Sequence, residues 1–371
     1  IVVVALLSID AVIALRVPAS AAPQPAEALG IPGVNPFIPI GYGIVALVIG
    51  IVFHEMLHGV VARSQGIGVK SVGILWFVVP IGAFVEQNEA EMLAARRRPR
   101  ARVAAAGVLA NFALTVVFFL ALSALVAGSV APNATGVGVA YVLPGYPAQG
   151  AGLAAGDIIT SVNGTPTPTS GALFEALANT SAHQTVDLTY FSSSQGRSID
   201  RPVTLASLSR YTNVSSDASK AFLGVSTTFL TPAQLKGVFV DPLASPYGPI
   251  LGATYWLVLP IAGLEPVQGS TLGFYHVTGP MSALGPGGFW LVANVLFWLA
   301  WMNLLLGLSN ALPLVPLDGG LLFRDFASGT AARFRRGLDA ARLDRIGGIA
   351  VAASSALVLF LLVWQFVAPH L

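Results

Sequence analysis

The chain has 371 residues, 55% hydrophobic and 10% charged, with a formal net charge of +2. Soluble domains carry about 25% charged residues, so much of this chain belongs in a membrane. With no cysteine, disulfides, thiolate nucleophiles and Cys-ligated metals are excluded; nucleic acid is set aside as a partner, because the basic residues gather in two short blocks, Ala95–Arg102 and Arg333–Arg345, with no basic stripe of interleaved aromatics.

In chain order, apolar stretches that approach the length of about 20 residues needed to cross a bilayer are Ile1–Val17, Ile40–Val61, Val103–Val130, Phe289–Leu312 and Ile346–Val367. The first is marginal. It starts at Ile1 inside an apolar run and lacks an Ala-x-Ala site behind a basic segment, so a truncated or late-numbered span is expected rather than a signal peptide. A sixth stretch, Pro246–Leu264, is broken by Gly248, Pro249, Gly252 and Pro260 and is expected to lie along or dip into the outer face. Both basic blocks fall between spans, and the positive-inside rule places them in the cytoplasm. The second and fourth spans then run inward, and the region from Ala131 to about Asp241 lies outside. Gly66–Gln87 is apolar, β-branched and interrupted by Pro80. It predicts two short strands around a turn, and at membrane depth such backbone persists only against protein or a water-filled cavity. From Asn133 to about Val225 the chain becomes rich in Gly, Ser and Thr with alternating patches such as Thr185–Phe191, which predicts a soluble, mostly β domain. The expected division is 1–130, 131–240 and 241–371.

One titratable cluster stands in the second span. His54-Glu55-Met56-Leu57-His58 reads H-E-x-x-H. Residues four apart share a helix face, so both imidazoles can reach one ion, with Glu55 beside it as a base for the attacking water. The alternative is a pair of buried histidines bonded to backbone or to each other. A catalytic zinc needs a third protein ligand. The remaining histidines, His183, His276 and His370, lie on the outer side in this topology, whereas His54 and His58 sit toward the inner half of their span. Asp318, flanked by Pro313, Pro316, Gly319 and Gly320 at the inner end of the fourth span, lies at the right depth, and irregular backbone there must line a cavity. Asp10 in the first span is the competing carboxylate, without turn residues around it.

Two signatures resemble the site-2 protease family of intramembrane zinc metalloproteases, in its archaeal and bacterial members. One is the H-E-x-x-H of His54–His58, and the other is N-x-x-P-x-x-P-L-D-G, running from Asn310 through Pro313, Pro316 and Asp318 to Gly319. Gly82–Met92 looks like the family's membrane hairpin and following acidic loop, and Gly107–Asn111 like the G-x-x-x-N of its intervening span. The resemblance implies a zinc cofactor held by His54, His58 and Asp318, with Glu55 as general base, roles that the residues had already suggested. Only the resemblance suggests that Asn310 lies near the scissile carbonyl. Tyr141–Pro166 resembles a circularly permuted bacterial PDZ domain, with Gly145, Gly156 and Gly164 at turns, Ile158, Ile159 and Val162 on a strand and a short helix over Leu173–Ala178. Such domains add a peptide to a sheet edge, and Gly136, Val137, Gly138 and Val139 are the candidate receiving segment; a blocked, spacer-like domain is the alternative.

The expected fold is therefore an α-helical polytopic membrane protein of about five to six membrane helices, with one intramembrane β-hairpin and an inserted PDZ-like domain outside the cell membrane. The expected function is zinc-dependent hydrolysis of peptide bonds in transmembrane protein substrates, as in regulated intramembrane proteolysis, with the active site toward the cytoplasm. Its partners are the lipid bilayer and a peptide at the PDZ-like domain. A metal transporter and an inactive scaffold of the same fold are the alternatives.

Overall fold

The structure, a computed structural model, describes residues 2–76, 80–240, 269–335 and 337–371. Pro246–Leu264, expected at the outer face, lies outside them. The chain divides into two compact units, one of Ile1–Leu120 with Val295–Leu371 and one of Ala121–Asn294.

The helices that build the first unit are α1 (Val2–Ala14), α2 (Ile40–Ser64), α3 (Arg97–Ser129), α4 (Gly285–Asn310), α5 (Asp318–Phe334) and α6 (Ala340–Val367); α3 and α4 continue into the second unit. Among the described residues, four helical stretches are long and apolar enough to cross a membrane: Ile40–Ser64, Arg97–Ser129, Gly279–Asn310 and Ala340–His370. The protein is a multi-pass membrane protein. The first expected span is a 13-residue helix, shorter than the roughly 20 residues a crossing needs.

Packing explains which faces these helices turn inward. On α2 the buried residues are Gly43, Ala46, Gly50, His54, His58 and Ala62, a stripe at helical spacing whose small members let neighbouring helices approach closely. Val45, Phe53, Met56 and Val60 on its other faces stay exposed, as side chains against lipid do. In α4, Phe297 through Asn303 are buried without a break. A helix enclosed on every side is a central one.

Helix α5 departs from the sequence reading, which treated Gly319 and Gly320 as helix breakers and left the following residues between spans. The two glycines instead open a helix, because nothing larger than hydrogen fits there. A Cβ at Gly319 would stand 2.3 Å from the Leu312 carbonyl oxygen, and one at Gly320 2.7 Å from that of Leu314. Arg100 Nη2 pairs with Asp325 Oδ1 at 2.5 Å and Arg324 Nη2 with Asp344 Oδ1 at 2.6 Å. These pairs tie the basic N-terminal turns of α3 and α6 to α5 and bring the two basic blocks to one end of this unit.

The predicted hairpin is present as β1 (Val69–Trp76) and β2 (Pro80–Gln87), antiparallel, with Val72 opposite Val85 and Gly73 opposite Phe84. Strand β2 packs on α2. Among the described residues the sheet has two strands, and none of them pairs with the far edge of β1. Val72, Ile74 and Trp76 of β1 are 67%, 65% and 70% exposed, an apolar shelf suited to hydrocarbon or to another chain.

The second unit holds an antiparallel sheet of β3 (Val137–Val142), β4 (Ile158–Val162), β5 (Thr185–Ser192), β6 (Arg197–Thr204) and β7 (Val225–Thr227), in the order β7-β3-β4-β5-β6, with Thr165–Pro166 paired to β4. Alternating inward residues, among them Val139, Ile159, Leu188, Tyr190 and Val203, form its core with Leu173 of the helix Ser170–Ala178. Thr169 caps that helix by accepting the Ala172 N–H at 3.2 Å. Gly145, Gly156 and Gly164 have positive φ, as their turns require.

The segment expected to receive a peptide is already paired within the sheet. Gly136–Val139 leads into an interior strand. Strand β4 pairs with Val137 and Gly138, and β7 pairs from Val139 onward. The Gly138 carbonyl accepts the Thr228 N–H at 2.8 Å, the Val139 N–H donates to the Asp157 carbonyl at 2.8 Å, and the Val139 carbonyl accepts the Gly156 N–H at 2.9 Å. At Gly136 a Cβ would meet the Ile159 carbonyl oxygen at 2.2 Å. Strand β7 returns from far along the chain to cover this segment, a pairing that local alternation cannot announce.

Leu188 is fully buried in the β-sheet core and Phe174 is 75% exposed. Leu188→Ala should destabilise the domain by about 2–5 kcal/mol, and Phe174→Ala by less than about 0.5 kcal/mol. Limited proteolysis of the full chain should show faster cleavage within residues 131–240 for the first variant only.

Candidate metal centre

Helical spacing puts His54 and His58 on one buried face of α2, and α3 crosses that face with three residues at the same spacing, Val103, Gly107 and Asn111. Each has a task. The His58 Nδ1–H donates to the Val103 carbonyl at 2.7 Å, and the His54 Nδ1–H donates to Asn111 Oδ1 at 3.0 Å. Between them a Cβ at Gly107 would stand 2.4 Å from both Nε2 atoms. Only glycine leaves room for the two rings.

These bonds fix the tautomers. A ring whose Nδ1 carries the proton presents a bare lone pair at Nε2. The two Nε2 atoms lie 3.1 Å apart, and each is 3.1 Å from Asp318 Oδ2. In the neutral rings three lone pairs thus converge, an arrangement that a cation satisfies. Tetrahedral zinc with bonds of about 2.0–2.1 Å separates its ligand atoms by roughly 3.3 Å, close to the spacing found. The donor set therefore fits zinc. Among the described residues His54, His58 and Asp318 are the one group of three His, Asp or Glu residues whose ligand atoms come together.

Asp318 reaches this position from an irregular loop that hands over to α5. Loop polar groups at membrane depth need partners, and α6 supplies them. Ser354 Oγ donates to the Pro313 carbonyl at 2.7 Å, and the Val315 N–H donates to Ser355 Oγ at 3.1 Å. Asp10, the competing carboxylate, is exposed on α1 and outside the cluster. His183 and His276 belong to the second unit, and His370 is exposed beyond α6.

A cavity of about 270 Å³ opens on the cluster, lined by His54, Glu55, His58, Gln87, Asn310 and Asp318 among others. Glu55 Oε2 accepts the Val85 N–H of β2 at 3.0 Å. Asn310 reaches the cavity wall from the last turn of α4, with its Nδ2–H donating to the Leu306 carbonyl at 3.1 Å. The structure therefore brings together the five residues singled out in the membrane part, His54, Glu55, His58, Asn310 and Asp318. Sequence reasoning missed the roles of Val103, Gly107 and Asn111. Gly107 and Asn111 had a signal, their four-residue spacing on an apolar span; the Val103 contact is a backbone carbonyl and had none.

Similarities to known proteins agree with this geometry. A family model described as Peptidase family M50 matches residues 42–349. An uncharacterized protein of Methanocaldococcus jannaschii is 49% identical over 79 residues, 21% of this chain and 20% of its own length. A protein of Rhizobium meliloti named "Putative zinc metalloprotease" is 25% identical over 317 residues, 72% of this chain and 81% of its own. Rip3 of Mycobacterium tuberculosis, which carries the same description, is 44% identical over 64 residues, 17% of this chain and 16% of its own. The chain thus spans only about a fifth of the Methanocaldococcus relative and less of Rip3, but most of the Rhizobium one. With its family match running over both halves of the metal cluster and most of the sequence, the chain belongs to peptidase family M50.

Proposed function

We propose that the protein is a zinc-dependent endopeptidase that cuts peptide bonds in transmembrane segments of other membrane proteins. The observation that carries the reading is the convergence of two bare imidazole nitrogens and the Asp318 carboxylate on a cavity that also presents Glu55. His54, His58 and Asp318 are assigned as zinc ligands. When bound there, zinc supplies Lewis-acid activation at neutral pH.

The chain's own residues account for the rest. Glu55 takes a proton from the attacking water at its carboxylate and passes it to the leaving amine. Val103 and Asn111 hold the two rings so that Nε2 stays unprotonated, the state that metal binding requires. Asn310, at the cavity wall, is assigned to the substrate carbonyl. A helical amide is shielded by its own turn, so the substrate must unwind locally, and the far edge of β1, on which no described strand lies, offers the unwound segment main-chain partners.

For sidedness, the joining of both basic blocks at one end of the first unit supports a cytoplasmic placement of that end. The inserted domain is PDZ-like and lies outside. The occupied backbone of Gly136–Val139 favours a spacer or size filter over peptide capture at that strand. A metal transporter would need successive ligand sets across the bilayer, and the described residues offer one.

Glu55→Gln should retain zinc and lose about 10²–10⁴-fold in cleavage of a single-span substrate; retained cleavage with bound zinc refutes the base assignment. Asp318→Ala should abolish stoichiometric zinc, and Asn111→Leu should weaken zinc affinity by about 10–100-fold, as expected when a ligand loses its orienting partner; zinc titration of purified protein checks both. The absence of native cysteine allows a topology test. Gln195→Cys should react with a membrane-impermeant maleimide on intact cells, and Arg98→Cys only after lysis.

A further inference from the structure

Helix α2 presents two working faces. His54 and His58 turn toward α3, while Glu55 and Gly59, also four residues apart, turn toward β2. The Glu55 carboxylate is bonded not to its own helix but to the hairpin, through the Val85 N–H at 3.0 Å. One turn along, a Cβ added at Gly59 would stand 3.1 Å from Val85 Cγ1, so Gly59 sets how closely β2 lies on α2. The direction of the Val85 N–H follows from the hairpin register. Along an antiparallel strand successive N–H groups point to alternate edges. With Val85 opposite Val72 and its N–H turned to α2, the N–H groups of Phe84 and Glu86 turn to β1.

We propose that β2 is the positioning element for the general base, with the Val85 N–H fixing one carboxylate oxygen of Glu55 and leaving the other for the attacking water. The inference rests on the assignment of Glu55 as base. A glutamate in a cavity has three rotatable bonds, and a misplacement of about 1 Å can cost on the order of 10²-fold in rate. The zinc ligands are held by α3 and the α5 loop, the base by the hairpin. Movement of the hairpin off α2 therefore withdraws catalysis while the metal stays bound. The strand assigned above to gripping substrate, β1, is paired to the strand that holds the base, so substrate engagement and base placement share one two-stranded element.

Two experiments on the full-length zinc-loaded protein test this. In residue-resolved hydrogen exchange, Glu55→Ala should speed exchange at Val85 by at least about 10-fold relative to Phe84 and Glu86, whose protection comes from β1. No relative change at Val85 overturns the proposal. In kinetics on a single-span peptide in detergent micelles, Gly59→Ala should lower kcat by about 10-fold with KM and zinc content kept. Adding Val85→Ala, which removes the crowding methyl groups, should restore most of the loss. An unchanged kcat in Gly59→Ala, or a loss that Val85→Ala does not recover, overturns the proposal. If the wild-type chain cuts no probe at all, the protease reading fails on its own, and the exchange comparison still decides whether Val85 holds Glu55.

Discussion

The interaction on which the rest depends is the pair of hydrogen bonds that turns two imidazole protons away from each other. Buried polar groups among apolar helices must each find a partner, and ionisable ones at membrane depth are costly without one. His54 and His58 could have satisfied each other, one ring donating to the other. Asn111 and the Val103 carbonyl prevent that by taking both Nδ1 protons. What remains in the neutral rings is a concentration of lone pairs facing the Asp318 carboxylate, which a cation satisfies. Two contacts outside the cluster thereby shape it for a metal.

From that arrangement the surrounding architecture follows. The rings need space on the α3 side, so Gly107 carries no side chain. Asp318 must arrive from the other half of the chain, 260 residues beyond His58, and its loop can enter the apolar layer only with partners for its backbone, which Ser354 and Ser355 of α6 provide. The turn is tight enough that Gly319 and Gly320 pass against carbonyl oxygens. Small residues on α2 and α3 and hydroxyls on α6 thus serve the same end from three directions.

Much of this was legible from residues alone, for identifiable reasons. The four-residue spacing of His54 and His58 is a helical period, and it survives any detail of packing. Asp318 stood out because a charge inside an apolar, proline-rich stretch is costly unless a cation or a cavity receives it. The hairpin was readable from Pro80 and β-branched residues in a run too broken for a helix. What was not legible shares a different character. The Val103 contact is a backbone carbonyl and has no side-chain signature. Helix α5 was hidden because glycines read as breakers when they are there for close approach. The interior placement of Gly136–Val139 depends on β7, which arrives from residue 225. Local patterns report periodicity and composition. They are silent on which distant backbone comes to lie alongside.

The same division separates the two chemical roles at the cavity. The metal cluster is held by helices: each imidazole is fixed at Nδ1 by α3, and Asp318 comes from a loop tied to α6. Glu55 is held at one carboxylate oxygen by a hairpin whose other strand is half out in the apolar surroundings, with Trp76 70% exposed. The metal cluster thus lies among helices, and Glu55 touches an element whose outer strand is exposed. A site that must admit a segment of another protein cannot be equally rigid on every side. The hairpin turns an apolar strand outward at Val72, Ile74 and Trp76 while its other strand touches Glu55 through the Val85 N–H, so an arriving segment and the carboxylate meet on the same two strands.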